Sequence, residues 1–354
     1  MPDLDPVLQL GGAWARRTDR YSQLAFVAGE EALAMAGLDP AEWDAPRVGV
    51  VVGTAFGGVT TLQAQVARQL RGEKVSVLTV PMFAPNMLPG QLCVHWGARG
   101  PSFATSTACA SGGTAIGMGA QLVHAGVCDI VLAGGSDAPI TPIVSAAFAR
   151  MDALASGTNE PAAASRPFDA TRDGFVLGEG AAVLVLERTA HAAARKAPVL
   201  ARLVGFGASA DAHHITDPHP EGVGLRQAMV SALAQAGASA DEVDHVNAHA
   251  TGTPKGDLLE AGLLARLVGR RASVTASKGT LGHTMGAAGA IEAALTVRAI
   301  AEQTVPPTAN VDCLDPRVEV DVVVGAPRSQ RIGLVLSNSS GFGGQNAVLA
   351  FAAP

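Results

Sequence analysis

Three short stretches hold the residue types that could do chemistry. Cys109 lies in Thr105-Ser106-Thr107-Ala108-Cys109-Ala110-Ser111-Gly112-Gly113-Thr114. His249 lies in Asn247-Ala248-His249-Ala250-Thr251-Gly252-Thr253-Pro254, and His283 closes Ser277-Lys278-Gly279-Thr280-Leu281-Gly282-His283. Small neighbours leave the Cys109 sulfur approachable. A thiol at a helix start also meets unpaired N–H groups and the helix dipole, which favour a thiolate. The stretch therefore reads as a strand, an elbow and a helix that present a nucleophile, with Cys in place of Ser. A lone cysteine is more often a small buried hydrophobe, and the two histidine loops shift that balance. Two roles stay open for the histidines. One is the base for the thiol, or both donate N–H bonds to a carbonyl that gains negative charge. Gly341-Phe342-Gly343-Gly344 adds a Phe between glycines. Its backbone N–H would complete an oxyanion hole and its ring would gate a pocket.

These groups need a frame. Apolar spacing predicts helices over 19–37, 59–70, 111–125, 222–237, 257–268 and 285–302. Short β-branched or apolar runs predict strands over 47–52, 103–107, 130–133, 182–187, 199–207, 243–246, 273–275, 332–336 and 347–351. Residues 1–12 show neither a strand nor a Gly-rich turn, and 141–180 reads as irregular. The proline-rich 81–90 reads as an apolar loop, either core or pocket wall. Gly53-Thr54-Ala55-Phe56-Gly57-Gly58 lacks both the dinucleotide spacing and the phosphate-loop lysine, so it reads as a tight turn. Strands alternate with helices in two successive halves, 1–190 and 191–354, which implies a layered α/β fold of two similar units. Cys109 falls in the first half and both histidines in the second, each just after a strand, where α/β sheets gather their sites.

Composition narrows the class. Of 354 residues, 48% are hydrophobic and 16% charged, enough for a large core. The net charge of −6, without runs of one sign, argues against nucleic acid and against a polybasic membrane surface. Arg16, Arg17, Arg20 and Arg68, Arg71, Lys74 are local basic patches or plain solvated faces. Cys93, Cys109, Cys128 and Cys313 form no C-x-x-C pair, so no zinc or redox motif is visible. With no secretory signal and no apolar run of ~20 residues, a cytoplasmic protein with reduced thiols is expected. His213, His214 and His219 lie close together, but a metal would need convergent geometry, and none is expected. His95, His124, His191 and His245 read as surface or satisfied core groups.

Taken in order, 107–112, 248–254, 278–283 and 337–344 resemble the β-ketoacyl-acyl-carrier-protein synthases, the elongating condensing enzymes of fatty-acid and type II polyketide synthesis. The segments 136–142 and 166–169 are especially similar to the ketosynthase subunit of actinobacterial polyketide systems. The resemblance runs from about Arg17 to the C-terminus and implies a thiolase-like, five-layered α/β fold of two related halves, working as a homodimer or with a ketosynthase-like heterodimer partner. It implies that Cys109 carries the acyl chain and that His249 and His283 hold the malonyl carbonyl; the alternatives are a heterodimer partner with a structural or chain-length role, which typically lacks the nucleophile, and an enzyme that only decarboxylates malonyl thioester or transfers acyl groups. Lys278 and Glu260 would form the supporting ion pair, the N–H groups of Cys109 and Phe342 the oxyanion hole, and Thr251 and Thr253 the pantetheine contacts. No dissociable cofactor is implied, because the phosphopantetheine arm arrives on an acyl carrier protein. Two departures stand out. The first half lacks the family's usual N-terminal strand, and Ala250 stands where members usually have Gly.

Overall fold

A computed structural model of the chain describes residues 4–157 and 160–354. The first half contains α1 (Pro6–Ala15), α2 (Arg20–Ala36), β1 (Val48–Gly53), α3 (Val59–Leu70), α4 (Thr79–Phe83), α5 (Met87–Trp96), β2 (Ser102–Thr105), α6 (Ser111–His124), β3 (Ile130–Asp137), α7 (Pro142–Arg150) and β4 (Gly180–Glu187). The second contains α8 (Thr189–Ala194), β5 (Arg202–Ala210), α9 (Val223–Ala236), β6 (His245–Asn247), α10 (Pro254–Leu267), β7 (Ser273–Thr275), α11 (Lys278–Leu281) and α12 (Ala288–Glu302). It ends with β8 (Thr304–Val305), β9 (Asp321–Val322), β10 (Arg328–Ser329), β11 (Leu334–Gly341) and β12 (Gln345–Ala352).

Each half builds its own sheet. The first runs β2-β1-β3-β4, with β1 parallel to β2 and β3 and with β4 antiparallel to β3. The second repeats that plan as β7-β6-β11-β12, then adds β5 beside β12 and β9 beside β7. Among the described residues the first sheet has no counterpart of β5, so β4 is its edge.

The layers follow from alternation. Val50 and Val52 of β1 face outward against Leu24 and Phe26 of α2 and Leu92 and Trp96 of α5. Val51 faces inward, with Ile116 of α6, Ala290 and Ala293 of α12, and Val335 and Leu349 of the second sheet. Leu225, Met229 and Leu233 of α9 and Leu264 of α10 cover the far face of that sheet with Val246 and Leu336. The order is helix, sheet, helix pair, sheet, helix. The central pair α6 and α12 is rich in Gly and Ala because it must pass close. A Cβ on Gly112 would stand 2.8 Å from the backbone nitrogen of Ala290.

Several elements differ from the sequence reading. Residues 6–15 are helical, with Asp5 accepting from the Val7 N–H at 2.8 Å and Pro6 in the first turn. Met1, Pro2 and Asp3 lie outside the described residues. Most of the 81–90 stretch is helical, in α4 and α5, with only 84–86 linking the two. Pro81 and Pro89 fall in first turns, where a missing N–H costs nothing. Within 141–180, Thr141 caps α7 and Pro142 starts it. Strands β3 and β11 run on to Asp137 and Gly341, past where apolar residues give way to Gly, Ser and Asn.

Candidate active site

The chain leaves β2 at Thr105 and turns into α6 through Ala108, whose φ of +49° is left-handed for a residue with a Cβ. Ser111 holds that conformation. Its hydroxyl donates to the Ala108 carbonyl at 2.6 Å and accepts from the Thr107 N–H at 2.9 Å. Cys109, next in line, is half-buried on the wall of a cavity of about 630 Å³. The end of β11 crosses directly over the elbow. A Cβ on Gly341 would meet the Thr107 carbonyl oxygen at 2.7 Å, so only glycine permits the crossing. The backbone N–H groups of Cys109 and Phe342 favour the charged form of the Cys109 sulfur.

A thiolate does not result at rest. Burial pushes the Cys109 thiol up to about 12, while Lys278 and the two N–H groups pull the other way and Asp137 adds to the rise. Desolvation therefore outweighs the helix-terminus effect expected from the sequence. Asp137, at the end of β3, is itself buried. It accepts from Thr54 Oγ1 at 2.6 Å, from the N–H groups of Ala55 at 2.8 Å and Phe56 at 3.1 Å, and from that of Gly286 at 2.7 Å. It thus ties the turn after β1 to the second half.

His249 follows β6 in a turn anchored by Glu260 of α10. The carboxylate accepts from the His249 N–H at 3.0 Å, the Ala250 N–H at 2.8 Å and Asn338 Nδ2 at 3.0 Å. Glu260 is therefore not the ion-pair partner of Lys278. Buried Lys278 pairs with Glu292 of α12, which also accepts from Ser277 Oγ at 3.3 Å. The backbone N–H groups of the turn, lying closer in sequence, occupy Glu260 instead. Lys278 Nζ also stands 3.4 Å from His249 Nδ1. An ammonium only donates, so Nδ1 accepts and Nε2 of a neutral His249 carries the hydrogen.

His283 is held through its backbone. Its N–H donates to the Val176 carbonyl at 2.7 Å, and its carbonyl accepts from Gly178 at 2.9 Å. The Phe175 ring lies edge-on at 5.4 Å, and the two imidazoles face each other at 5.6 Å and 82°. Burial holds both histidines well below the usual range, and the nearby Lys278 charge adds to this. Both rings are neutral at pH 7.

One cavity brings Cys109, His249, His283, Glu260, Thr251, Thr253 and Phe342 together, with Lys278 behind the His249 ring. The hydroxyls of Thr251 and Thr253 are 3.1 Å apart. The deeper wall is aromatic and apolar, with Phe56, Phe148, Phe175 and Met285. Three polar residues with a part in this arrangement escaped the sequence reading: Glu292, Asn338 and Asp137. Asp137 and Asn338 lie inside the segments 136–142 and 337–344 without a role assigned to them, and Glu292 stands out as the lone acid in the Gly- and Ala-rich start of α12. Two of the clustered histidines serve local turns. His214 Nδ1 accepts from the Asp217 N–H at 3.0 Å and His219 Nδ1 from the Glu221 N–H at 3.1 Å. Among the described residues no helix is long and apolar enough to cross a membrane.

A doubled sheet with a nucleophile elbow at the centre of one half and histidine turns from the other is the frame of the thiolase-like condensing enzymes. Comparison with known proteins is more specific. The Beta-ketoacyl synthase N-terminal domain matches residues 4–192 and the Beta-ketoacyl synthase C-terminal domain residues 200–312. The chain is 40% identical to a 3-oxoacyl-[acyl-carrier-protein] synthase 2 of Synechocystis sp., over 99% of this chain and 85% of the relative. It is 42% identical to the protein of that name from Staphylococcus aureus, over 95% and 82%. Among solved structures it is similar to a beta-ketoacyl synthase from Burkholderia phymatum (35% identity, TM-score 0.94, covering 100% of this chain and 87% of that one). A second is a type II polyketide ketosynthase in complex with its acyl-carrier protein and bound to a hexaketide (30% identity, TM-score 0.91, covering 95% and 85%). The chain belongs to the β-ketoacyl synthase family.

Proposed function

We propose that the chain condenses an acyl thioester with a malonyl thioester, both delivered by an acyl carrier protein, in bacterial type II polyketide or fatty-acid synthesis. The observation that carries this reading is the single cavity wall shared by Cys109, the two neutral histidines and the paired N–H groups of Cys109 and Phe342. The Cys109 sulfur attacks the acyl-pantetheine carbonyl, whose oxygen is stabilised by those N–H groups. The thiol proton leaves with the pantetheine thiol. His249 Nε2–H and His283 then hold the malonyl carbonyl as CO₂ departs and an enolate forms. The enolate carbon attacks the Cys109 thioester, the C–S bond breaks, and a 3-ketoacyl thioester remains on the carrier protein. Lys278, neutralised by Glu292, fixes the His249 tautomer, and Glu260 fixes its turn. Thr251 and Thr253 contact the phosphopantetheine arm, which comes with the substrate. The protein works in the cytoplasm beside its carrier protein, as a homodimer or with a ketosynthase-like partner.

Intact-protein mass spectrometry tests the reading. Incubation with acyl-carrier protein should add one acyl mass to the wild type and none to Cys109→Ala, and malonyl-carrier protein should then yield a ketoacyl product. Acylation of folded Cys109→Ala would overturn the assignment of the nucleophile. Acylation of the wild type without ketoacyl product would leave a transferase.

A further inference from the structure

Between Arg172 and Gly178 the chain runs past both histidine turns and bonds to each. The Gly174 N–H donates to the Gly252 carbonyl in the His249 turn at 3.1 Å. Two residues on, the Val176 carbonyl and the Gly178 N–H bracket His283 at 2.7 and 2.9 Å. Phe175 lies between them, its backbone bonded to Ala153 and Ala155 at 3.0 and 2.9 Å and its ring against the His283 imidazole.

One buried guanidinium anchors the start of the segment. The Arg172 side chain is 1% exposed and lies between two carboxylates, 2.9 Å from Asp315 Oδ2 and 3.5 Å from Asp257 Oδ2. Three more of its hydrogens go to carbonyls: Pro254 at 3.0 Å, Thr253 at 3.3 Å and Asp169 at 2.7 Å. Asp257 closes the loop by accepting from the Gly252 N–H at 3.0 Å and the Phe168 N–H at 2.9 Å. Compensating a buried charge needs only one partner; a planar fork that also gathers two successive carbonyls of the Thr253–Pro254 turn sets a position.

We infer that residues 172–178 are a strap that sets the two histidine turns relative to each other, with Arg172 the positioning residue for the His249 turn and Phe175 for the His283 ring. The inference deepens the reading above, in which both imidazoles act on one carbonyl. Two donors from separate turns can do so only if their separation is fixed, and a displacement of about 1 Å costs about 10²-fold in rate. The sheets alone do not fix it, because β6 and β7 stop at Asn247 and Thr275, short of both rings.

The test follows the two rings directly. The full chain is labelled with [¹⁵N]histidine, and the ring signals are assigned with His249→Ala and His283→Ala. Arg172→Lys keeps a charge between Asp257 and Asp315 but loses the fork. It should shift the His249 signals, leave those of core His245 in place, and lower ketoacyl formation about 10- to 100-fold. Iodoacetamide alkylation of Cys109 should stay within about twofold of the wild type, since Arg172 does not hold the elbow. Phe175→Leu should shift the His283 signals, and it decides the matter if Arg172→Lys does not fold. Unmoved ring signals in a folded variant overturn the strap, as does a parallel loss of alkylation and condensation. A wild type that makes no ketoacyl product, while Arg172→Lys still moves His249, overturns the condensing reading and leaves the strap standing.

Discussion

Burial keeps the thiol of Cys109, the proposed nucleophile, protonated in the free protein. With burial holding it near 12, the thiolate fraction rises tenfold per pH unit throughout the neutral range. Iodoacetamide alkylation of the free protein should therefore keep climbing past pH 9. A plateau near pH 7 would mean that the N–H groups of Cys109 and Phe342, with Lys278, outweigh burial after all. The histidines separate by step. Held neutral, with His249 Nε2–H fixed by Lys278, they suit donation to a developing enolate better than removal of the thiol proton. His249→Ala and His283→Ala should each lose condensation by about 10²–10³ and lose acyl loading far less. Equal loss of both half-reactions, read by mass spectrometry of the acyl-enzyme and of the product, would make one histidine the base for Cys109.

At the scale of the element, β6 carries a buried histidine outside the site. His245 lies with Nδ1 3.0 Å from both the carbonyl and the hydroxyl of Ser273, and burial lowers it to about 4. A folded value below the unfolded 6.5 means that its contribution to stability is complete above pH 6.5 and lost as pH falls toward 4. At about 1.4 kcal/mol per unit the loss reaches about 3 kcal/mol. Urea unfolding of the wild type and His245→Gln between pH 7 and 4 should show a steeper decline in the wild type. Parallel curves would mean that water reaches the ring. Much at this scale was legible in the sequence. Cys109, His249 and His283 each follow a strand among small residues, and α2, α3, α6 and α9 announce themselves by amphipathic spacing. The missed elements have physical reasons. Pro81, Pro89 and Pro142 read as breakers but occupy first turns. The Gly and Ser ends of β3 and β11 have no apolar alternation, because β3 is enclosed on both faces and the end of β11 passes over the Cys109 elbow into the cavity wall. The Lys278–Glu292 pair joins two helices through residues 14 apart in sequence, a contact that only tertiary packing sets.

For the whole molecule, the first sheet leaves the outer side of β2 unpaired among the described residues. Val50 and Thr54 donate to the carbonyls of Pro101 and Thr105, so the ladder to β1 uses the odd-numbered residues of β2. The N–H and C=O of Ser102 and Ala104 therefore point away from the sheet, and an open edge of this kind is a template for another strand. The Cys109 elbow begins three residues beyond Thr105, so whatever covers this edge also braces the elbow. A second ketosynthase-like chain pairing there would make an obligate interface of about 2,000 Å² or more, with stability that depends on protomer concentration. Light scattering should then give a dimer mass at micromolar concentration, alone or with a co-encoded ketosynthase-like protein. Ala104→Pro removes one outward N–H while leaving the β1 ladder intact. It should weaken association at least about tenfold, the worth of one interface hydrogen bond at about 1.4 kcal/mol, and lower the melting temperature only at dilutions where the dimer dissociates. A wild type that stays monomeric at every concentration and still condenses acyl and malonyl thioesters would show that β2 needs no cover and that the elbow is rigid on its own.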